Sequence, residues 1–90
     1  MADHHEKPYL IIVEDEINFG ESLQLSLNDV YDVAVTLSVE KAKKAFREKF
    51  PSVALIDMRL PDGNGIDVLR ELKRYGEMPL GVLSPKQRNL

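Results

Sequence analysis

The chain contains no cysteine and no tryptophan, and it has no long hydrophobic run. The lack of cysteine excludes a disulfide framework and zinc sites built from thiolates. The longest purely apolar run, residues 10–13, is far too short to cross a bilayer. The first residues are polar and include His4 and His5, so they do not form a signal-peptide pattern. We therefore expect a cytoplasmic protein with no membrane segment.

The sequence also lacks an excess of positive charge. Its 12 basic side chains are outnumbered by 15 acidic ones, which gives a net charge of -3. A surface that binds DNA or RNA needs lysine and arginine clustered on one face. The composition therefore predicts no direct contact with nucleic acid, and 90 residues allow one small domain at most.

Short apolar runs alternate with segments of helical periodicity along the chain. Residues 9–13 and 53–56 are continuous apolar runs, typical of strands that are buried on both faces. Residues 31–36 alternate as a half-exposed strand does, and a weaker run covers residues 80–83 after Pro79. Between the strands, apolar residues recur at helical spacing in three groups: Phe19, Leu23 and Leu27; Val39, Ala42 and Phe46; and Ile66, Leu69 and Leu72.

Local signals mark the ends of these segments. Ser38 is the expected N-cap of the second helix, and Gly76 is the expected C-cap of the third. In the turn at residues 61–65 the two glycines allow positive φ angles. The element order is βαβαβαβ, which predicts the α/β class: a doubly wound parallel sheet with helices on both faces.

Carboxylates follow two of the predicted buried strands. Glu14 and Asp15 come directly after the first, and Asp57 follows residues 53–56. In a parallel sheet the active crevice lies beyond the carboxyl ends of the strands. If these two strands are neighbours, the three acids converge, and their mutual repulsion favours a bound cation. A hard ion with oxygen ligands, Mg²⁺ above all, satisfies that need.

A structural role is the alternative for each of these acids. Acidic residues after strands commonly cap the following helix, and Asp15 or Glu16 is placed to do so here. For a single acid the capping role is the commoner one. The convergence of three acids is what indicates a site.

Two segments of the chain resemble the receiver domain of two-component response regulators. Residues 12–16, Ile-Val-Glu-Asp-Glu, resemble the first strand of the family and its acidic pocket. Residues 55–65 resemble the phosphorylation segment, in which Pro61 and Gly65 follow Asp57 at the spacing of the family. The resemblance covers roughly residues 8–84 and implies a flavodoxin-like fold.

The resemblance also implies roles for individual residues. Asp57 matches the nucleophile that takes a phosphoryl group from a sensor histidine kinase or a phosphotransfer protein. Asp15 matches a direct Mg²⁺ ligand, together with Asp57 and the backbone carbonyl of Arg59, and Glu14 matches a residue that reaches the metal through water. Ser84 matches the hydroxyl residue that bonds the phosphoryl group. Catalysis is then limited to Mg²⁺-dependent self-phosphorylation and autodephosphorylation.

The chain departs from the family at its end. Receiver domains continue after the hydroxyl residue with a fourth helix, a fifth strand and a fifth helix, and the fifth strand carries a lysine that pairs with the phosphoryl group. We therefore interpret residues 1–90 as a partial receiver domain, with residues 1–7 and 85–90 flexible. Lys86 is placed to substitute for that lysine, although a solvated tail lysine is far commoner.

Two functions remain open at this point. One is a phosphoacceptor module, and the other is a phosphorylation-incompetent receiver that acts in interaction or dimerisation. Without the fifth strand and helix, a sheet edge and apolar surface are expected to be exposed, which favours self-association. We therefore expect a homodimer, either simple or with exchanged elements.

Overall fold

A computed structural model describes residues 7–75 and 80–84 of the chain. The predictions made for His4, His5, Gly76, Pro79 and Lys86, and the flexibility expected for residues 1–6 and 85–90, lie outside the described residues. The elements follow in the order β1 (Tyr9–Val13), α1 (Ile17–Leu27), β2 (Asp32–Thr36), α2 (Val39–Glu48), β3 (Val53–Asp57), β4 (Arg59–Leu60), β5 (Gly63–Asn64), α3 (Gly65–Arg74) and β6 (Leu80–Ser84).

Four of these strands form one parallel sheet in the order β2-β1-β3-β6. β1 and β3 are neighbours, and their register runs from Leu10 beside Val53 to Val13 beside Ile56. The two-residue strands β4 and β5 form a separate antiparallel hairpin in the segment predicted as a turn. The predicted parallel α/β fold is confirmed.

The side chains of β1 are buried on both faces of the sheet. Ile11 and Val13 belong to the core that α2 and α3 cover, whereas Leu10 and Ile12 pack with residues of α1. Because both faces are covered by helices, β1 is a continuous apolar run rather than an alternating one. Helices on both faces also confirm the doubly wound arrangement.

The helix α2 matches its prediction. Val39, Ala42 and Phe46 are buried, and the Ser38 hydroxyl accepts a hydrogen bond from the Lys41 amide at 3.1 Å. Such a side-chain bond satisfies one of the amide groups that the first turn of a helix leaves without a partner in the helix.

The buried face of α3 differs from the prediction. Gly65, Val68 and Leu72 are buried and Leu69 packs against the core, but Ile66 is 36% exposed. The side chain of Asn64 caps the helix, and the side chain of Asp67 accepts in return from the Asn64 amide. This capping box starts the helix at Gly65, and its buried stripe then runs through residues 65, 68 and 72.

The face that α1 presents to the sheet also differs from the prediction. Leu23 and Leu27 pack against Leu10 and Ile12, as predicted, but Phe19 is 50% exposed. The buried residue of this helix is Gly20, where an added Cβ would lie 3.0 Å from Val35 Cγ1. The close approach at Gly20 centres the contact on residues 20, 23 and 27 and turns Phe19 outward. Among the described residues, no helix has the length and apolar character needed to cross a membrane.

Leu72 and Leu25 offer a matched test of this packing. Leu72 is fully buried in α3, whereas Leu25 is 76% exposed on α1. We expect Leu72→Ala to lower the free energy of unfolding by about 2–5 kcal/mol, because it removes buried methyl groups and leaves a cavity. We expect Leu25→Ala to change it by less than about 0.5 kcal/mol. Urea unfolding measures both, and equal losses would contradict the packing described here.

Candidate functional site

The carboxyl ends of β1 and β3 bring the three predicted acids together. Glu14 and Asp15 follow β1, and Asp57 is the last residue of β3. One carboxylate oxygen from each residue lies within 4.8 Å of the others. Glu14 and Asp57 are about 5% and 4% exposed, while Asp15 is exposed to solvent. Two carboxylates of the cluster are therefore buried, and the third is accessible from solvent.

Backbone groups orient the two buried carboxylates. Glu14 Oε2 accepts a hydrogen bond from the Glu16 amide at 3.0 Å, and Asp57 Oδ1 accepts one from the Arg59 amide at 3.3 Å. Glu16 occupies the N-cap position of α1, but its side chain forms no capping hydrogen bond. The capping role considered for the Glu16 side chain is therefore wrong, and the Glu14 carboxylate binds the amide of this N-cap residue.

The donor set of the cluster suits a hard divalent cation. All three side chains offer carboxylate oxygen, and two of them are buried, where an ionised group is costly unless opposite charge or hydrogen bonds stabilise it. No histidine or cysteine belongs to this cluster of described residues, so it lacks the nitrogen and sulfur ligands typical of zinc sites. Carboxylates with room for water and phosphate oxygens are the usual environment of Mg²⁺. The residues present fit that ion.

The other two predicted site residues have backbones close to that of Asp57, Arg59 along the chain and Ser84 across the sheet. Arg59 is in β4, two residues beyond Asp57, and its side chain is exposed. Ser84 ends β6, and the register of β3 with β6 pairs it with Asp57. The structure thus places the backbone of Ser84 at the predicted position, while its side chain lies outside the described part.

The loop after Asp57 is held by its own hydrogen bonds. The Gly65 amide donates to the Met58 carbonyl at 3.0 Å, which closes the segment that contains β4 and β5. An added Cβ at Gly63 would lie 3.0 Å from Val39 Cγ2 and 2.9 Å from Asp67 Oδ2. The φ angle of Gly63 lies outside the left-handed region. Gly63 therefore does not use the conformational freedom that the sequence offered, and glycine is needed there for the close approach of the loop to α2.

Asp62 connects this loop to α2. Its Oδ1 accepts a hydrogen bond from the Val39 amide at 2.8 Å, and its Oδ2 accepts one from the Glu40 amide at 3.0 Å. The bonds from Val39 and Glu40 lower the pKa of the Asp62 carboxyl below its usual value. The sequence predicts only a turn at Asp62, because the partners of this side chain lie 23 and 22 positions away and leave no local signal.

Comparison with known proteins identifies the relatives of this chain. The family described as "Response regulator receiver domain" matches residues 10–89. The DNA-binding response regulator MtrA of Mycobacterium tuberculosis strain H37Rv is 35% identical over 78 residues, which cover 86% of this chain and 34% of MtrA. The chain therefore spans about a third of the length of this relative.

Two solved structures resemble this fold, and each shares more than 25% sequence identity with the chain. The non-phosphorylated HemR receiver domain from Leptospira biflexa has a TM-score of 0.79 and 30% identity, over 93% of this chain and 68% of the HemR chain. A MaeR response regulator described as bound to beryllium trifluoride has a TM-score of 0.77 and 27% identity, over 91% of this chain and 70% of that chain.

The acidic cluster predicts that Mg²⁺ stabilises the folded chain. At a concentration ten times the dissociation constant, Mg²⁺ should raise the free energy of unfolding by about 1.4 kcal/mol, because it binds the folded state. We expect Asp15→Asn to reduce this gain at the same Mg²⁺ concentration. Glu16→Gln is the matched control, since Glu16 is the next acid along the chain and lies outside the cluster. Urea unfolding with and without Mg²⁺ measures the effect, and equal gains in both variants would contradict the site.

Proposed function

The chain belongs to the response regulator receiver domain family, and we propose that it works as a phosphoacceptor module of a two-component system. Asp57 is the proposed acceptor, and a sensor histidine kinase or a phosphotransfer protein is the proposed donor. The observation that carries this proposal is the convergence of Glu14, Asp15 and Asp57 at the carboxyl ends of neighbouring strands. We take residues 1–90 as one receiver unit that acts in the cytoplasm without direct contact to nucleic acid.

In the proposed reaction, a carboxylate oxygen of Asp57 attacks the phosphorus atom of a phosphohistidine. An O–P bond forms, the P–N bond breaks, and its electron pair stays on the imidazole nitrogen. A carboxylate is a weak nucleophile, so the rate depends on position and on neutralising the charge of the transferred group. Hydrolysis of the resulting acyl phosphate by water returns the Asp57 carboxylate and inorganic phosphate.

The residues around Asp57 are proposed to bind the metal ion and to orient the nucleophile. Asp15, Asp57 and the backbone carbonyl of Arg59 are the proposed direct Mg²⁺ ligands, and Glu14 is proposed to reach the ion through water. When bound, Mg²⁺ supplies positive charge that offsets the charge of the phosphoryl oxygens. The Arg59 amide holds Asp57 by its bond to Oδ1. Asp57 is therefore oriented before any donor arrives.

Ser84 is proposed as the residue that senses the modification. Its backbone pairs with Asp57 in the sheet, so a phosphoryl group on Asp57 would form next to it. A hydroxyl that bonds this group in one conformation, and not in another, shifts the population toward the first. Under this proposal, the phosphoryl group selects one conformation of the chain at Ser84.

Phosphorylation by a small donor tests the acceptor. With Mg²⁺ and acetyl phosphate, we expect the mass of the intact chain to increase by one phosphoryl group, and we expect Asp57→Asn to abolish the increase. Asp29→Asn is the matched control, since Asp29 is exposed in the segment between α1 and β2 at the other end of the sheet.

Beryllofluoride provides a second measurement of the same site. The MaeR structure is described as bound to beryllium trifluoride, and we expect this compound with Mg²⁺ to give saturable amide shifts near Asp57. A wild-type chain that gains no phosphoryl group and shows no shifts would refute the phosphoacceptor proposal and favour the second function.

We propose as the second function that the chain acts as an interaction module that self-associates. Ile17, Phe19 and Leu25 are each at least half exposed on α1. An apolar groove between α1 and the sheet is lined by Phe19, Leu23 and Leu55 and reaches Glu14 and Asp57. Within the described sheet β6 is an outer strand, which offers backbone groups to another chain. These features favour a homodimer, either simple or with exchanged elements.

Sedimentation velocity at micromolar concentrations tests this association. We expect a dimer for the wild-type chain and a shift toward monomer for Phe19→Ser, which removes exposed apolar surface at the groove. Ile66→Ser is the control, because Ile66 is partly exposed on α3, on the other face of the sheet. A well-folded wild-type monomer throughout the concentration range would refute the self-association.

A further inference from the structure

The amides at the N-terminus of α2 donate hydrogen bonds to side chains from two different parts of the chain. Ser38, directly before the helix, accepts from the Lys41 amide. The amides of Val39 and Glu40 donate instead to the carboxylate of Asp62, at 2.8 and 3.0 Å. The first turn of α2 is thus held in part by the loop that follows Asp57.

The loop also packs closely against the first residue of α2. Gly63 approaches Val39 so closely that an added Cβ would be 3.0 Å from Val39 Cγ2. Val39 is itself buried in the core shared by α2 and α3. Because Val39 is buried in this core, its position is restrained. Asp62 and Gly63 are in turn restrained by their contacts with Val39.

Further hydrogen bonds restrain the loop between this contact and Asp57. The Gly65 amide bonds the Met58 carbonyl, and the capping box of Asn64 and Asp67 fixes the start of α3. Arg59 lies between the two anchors, since its amide bonds Asp57 Oδ1 while Asp62 is held by α2 three residues later. The position of the Arg59 backbone therefore depends on both ends.

The charge of Asp62 suits this role. A negative side chain at a helix N-terminus is favoured by the helix dipole and by the amides it accepts from. The same amides lower the pKa of the Asp62 carboxyl. The group is thus ionised at neutral pH, and Lys43 adds a smaller favourable charge.

We propose that Asp62 is a positioning residue for the phosphoacceptor site. By holding the loop on the first turn of α2, it sets the place of the Arg59 backbone and thereby the affinity of the acidic cluster for Mg²⁺. This inference rests on the proposed function of that cluster. Since coupling between two sites is reciprocal, Mg²⁺ binding should in turn protect the amides of Val39 and Glu40 from hydrogen exchange.

Two variants distinguish the link between the loop and α2, which Asp62 forms with the amides of Val39 and Glu40, from ordinary capping of the helix. Asp62→Ala cuts the link between the loop and α2, whereas Ser38→Ala removes a cap from the same turn of α2 without touching the loop. Asp62→Asn keeps an oxygen acceptor and should restore part of the function. The measurement is the dissociation constant of Mg²⁺, from amide shifts in an NMR titration of the full chain.

We expect Asp62→Ala to raise the dissociation constant of Mg²⁺ by at least about fivefold, the lower end of typical couplings between sites. We expect Ser38→Ala to stay within about twofold of the wild type, and Asp62→Asn to lie between the two. We also expect Mg²⁺ to slow hydrogen exchange at Val39 and Glu40 in the wild type but not in Asp62→Ala. Equal Mg²⁺ affinities for Asp62→Ala and Ser38→Ala would overturn the inference and leave the proposed function intact.

A metal-free measurement keeps the inference testable if the wild type binds no Mg²⁺, a result that would count against the proposed metal site. Without Mg²⁺, the Arg59 amide should exchange faster in Asp62→Ala than in Ser38→Ala, because only the first variant releases the loop. Equal exchange rates of the Arg59 amide in the two variants would refute the proposed role of Asp62. If circular dichroism shows Asp62→Ala to be unfolded, the same comparisons are made with Asp62→Asn.

Discussion

The parallel pairing of β1 with β3 is the constraint on which the rest of the structure depends. Its register places Val13 beside Ile56, so the residues that follow both strands emerge at the same edge of the sheet. A shift of one residue would turn buried side chains of β1 to the opposite face and separate Glu14 from Asp57. The geometry of the site therefore follows from the pairing of β1 with β3. That pairing is itself determined by the burial of apolar side chains on both faces of β1.

The parts that were predictable from sequence are those that depend on neighbouring residues. The apolar run of β1, the helix face of Val39, Ala42 and Phe46, and the Ser38 cap all have local signals, and the structure shows each of them. The gathering of Glu14, Asp15 and Asp57 was predictable because acids that end adjacent parallel strands share an edge. The parts that were not predictable depend on packing between distant segments. The exposure of Phe19 follows from the contact of Gly20 with Val35, and the use of Asp62 follows from a loop that packs on α2.

The electrostatics of the site show two ways to stabilise a carboxylate. Asp62 is ionised against backbone amides at the end of a helix, where the charge is also open to solvent. Glu14 and Asp57 are buried beside Asp15, so the charges that they carry repel. The first arrangement holds the backbone in place, and the second favours a cation. Asp57 ends β3 shortly before Asp62 in the chain, so a loop anchored on α2 adjoins the group whose charge would change in the proposed phosphorylation.

The bond between Asp62 and α2 also bears on how the chain folds. α2 precedes residue 62 in the chain and is synthesised first, so the amides of Val39 and Glu40 must at first be hydrated or find other acceptors. They gain the Asp62 carboxylate only after β3 has been made and the loop has closed over 23 positions. Ser38 alone can support the nascent helix until then, and isolated helices of this length are marginal in water. The first turn of α2 therefore obtains all of its hydrogen-bond acceptors only when the loop beside Asp57 has packed against it.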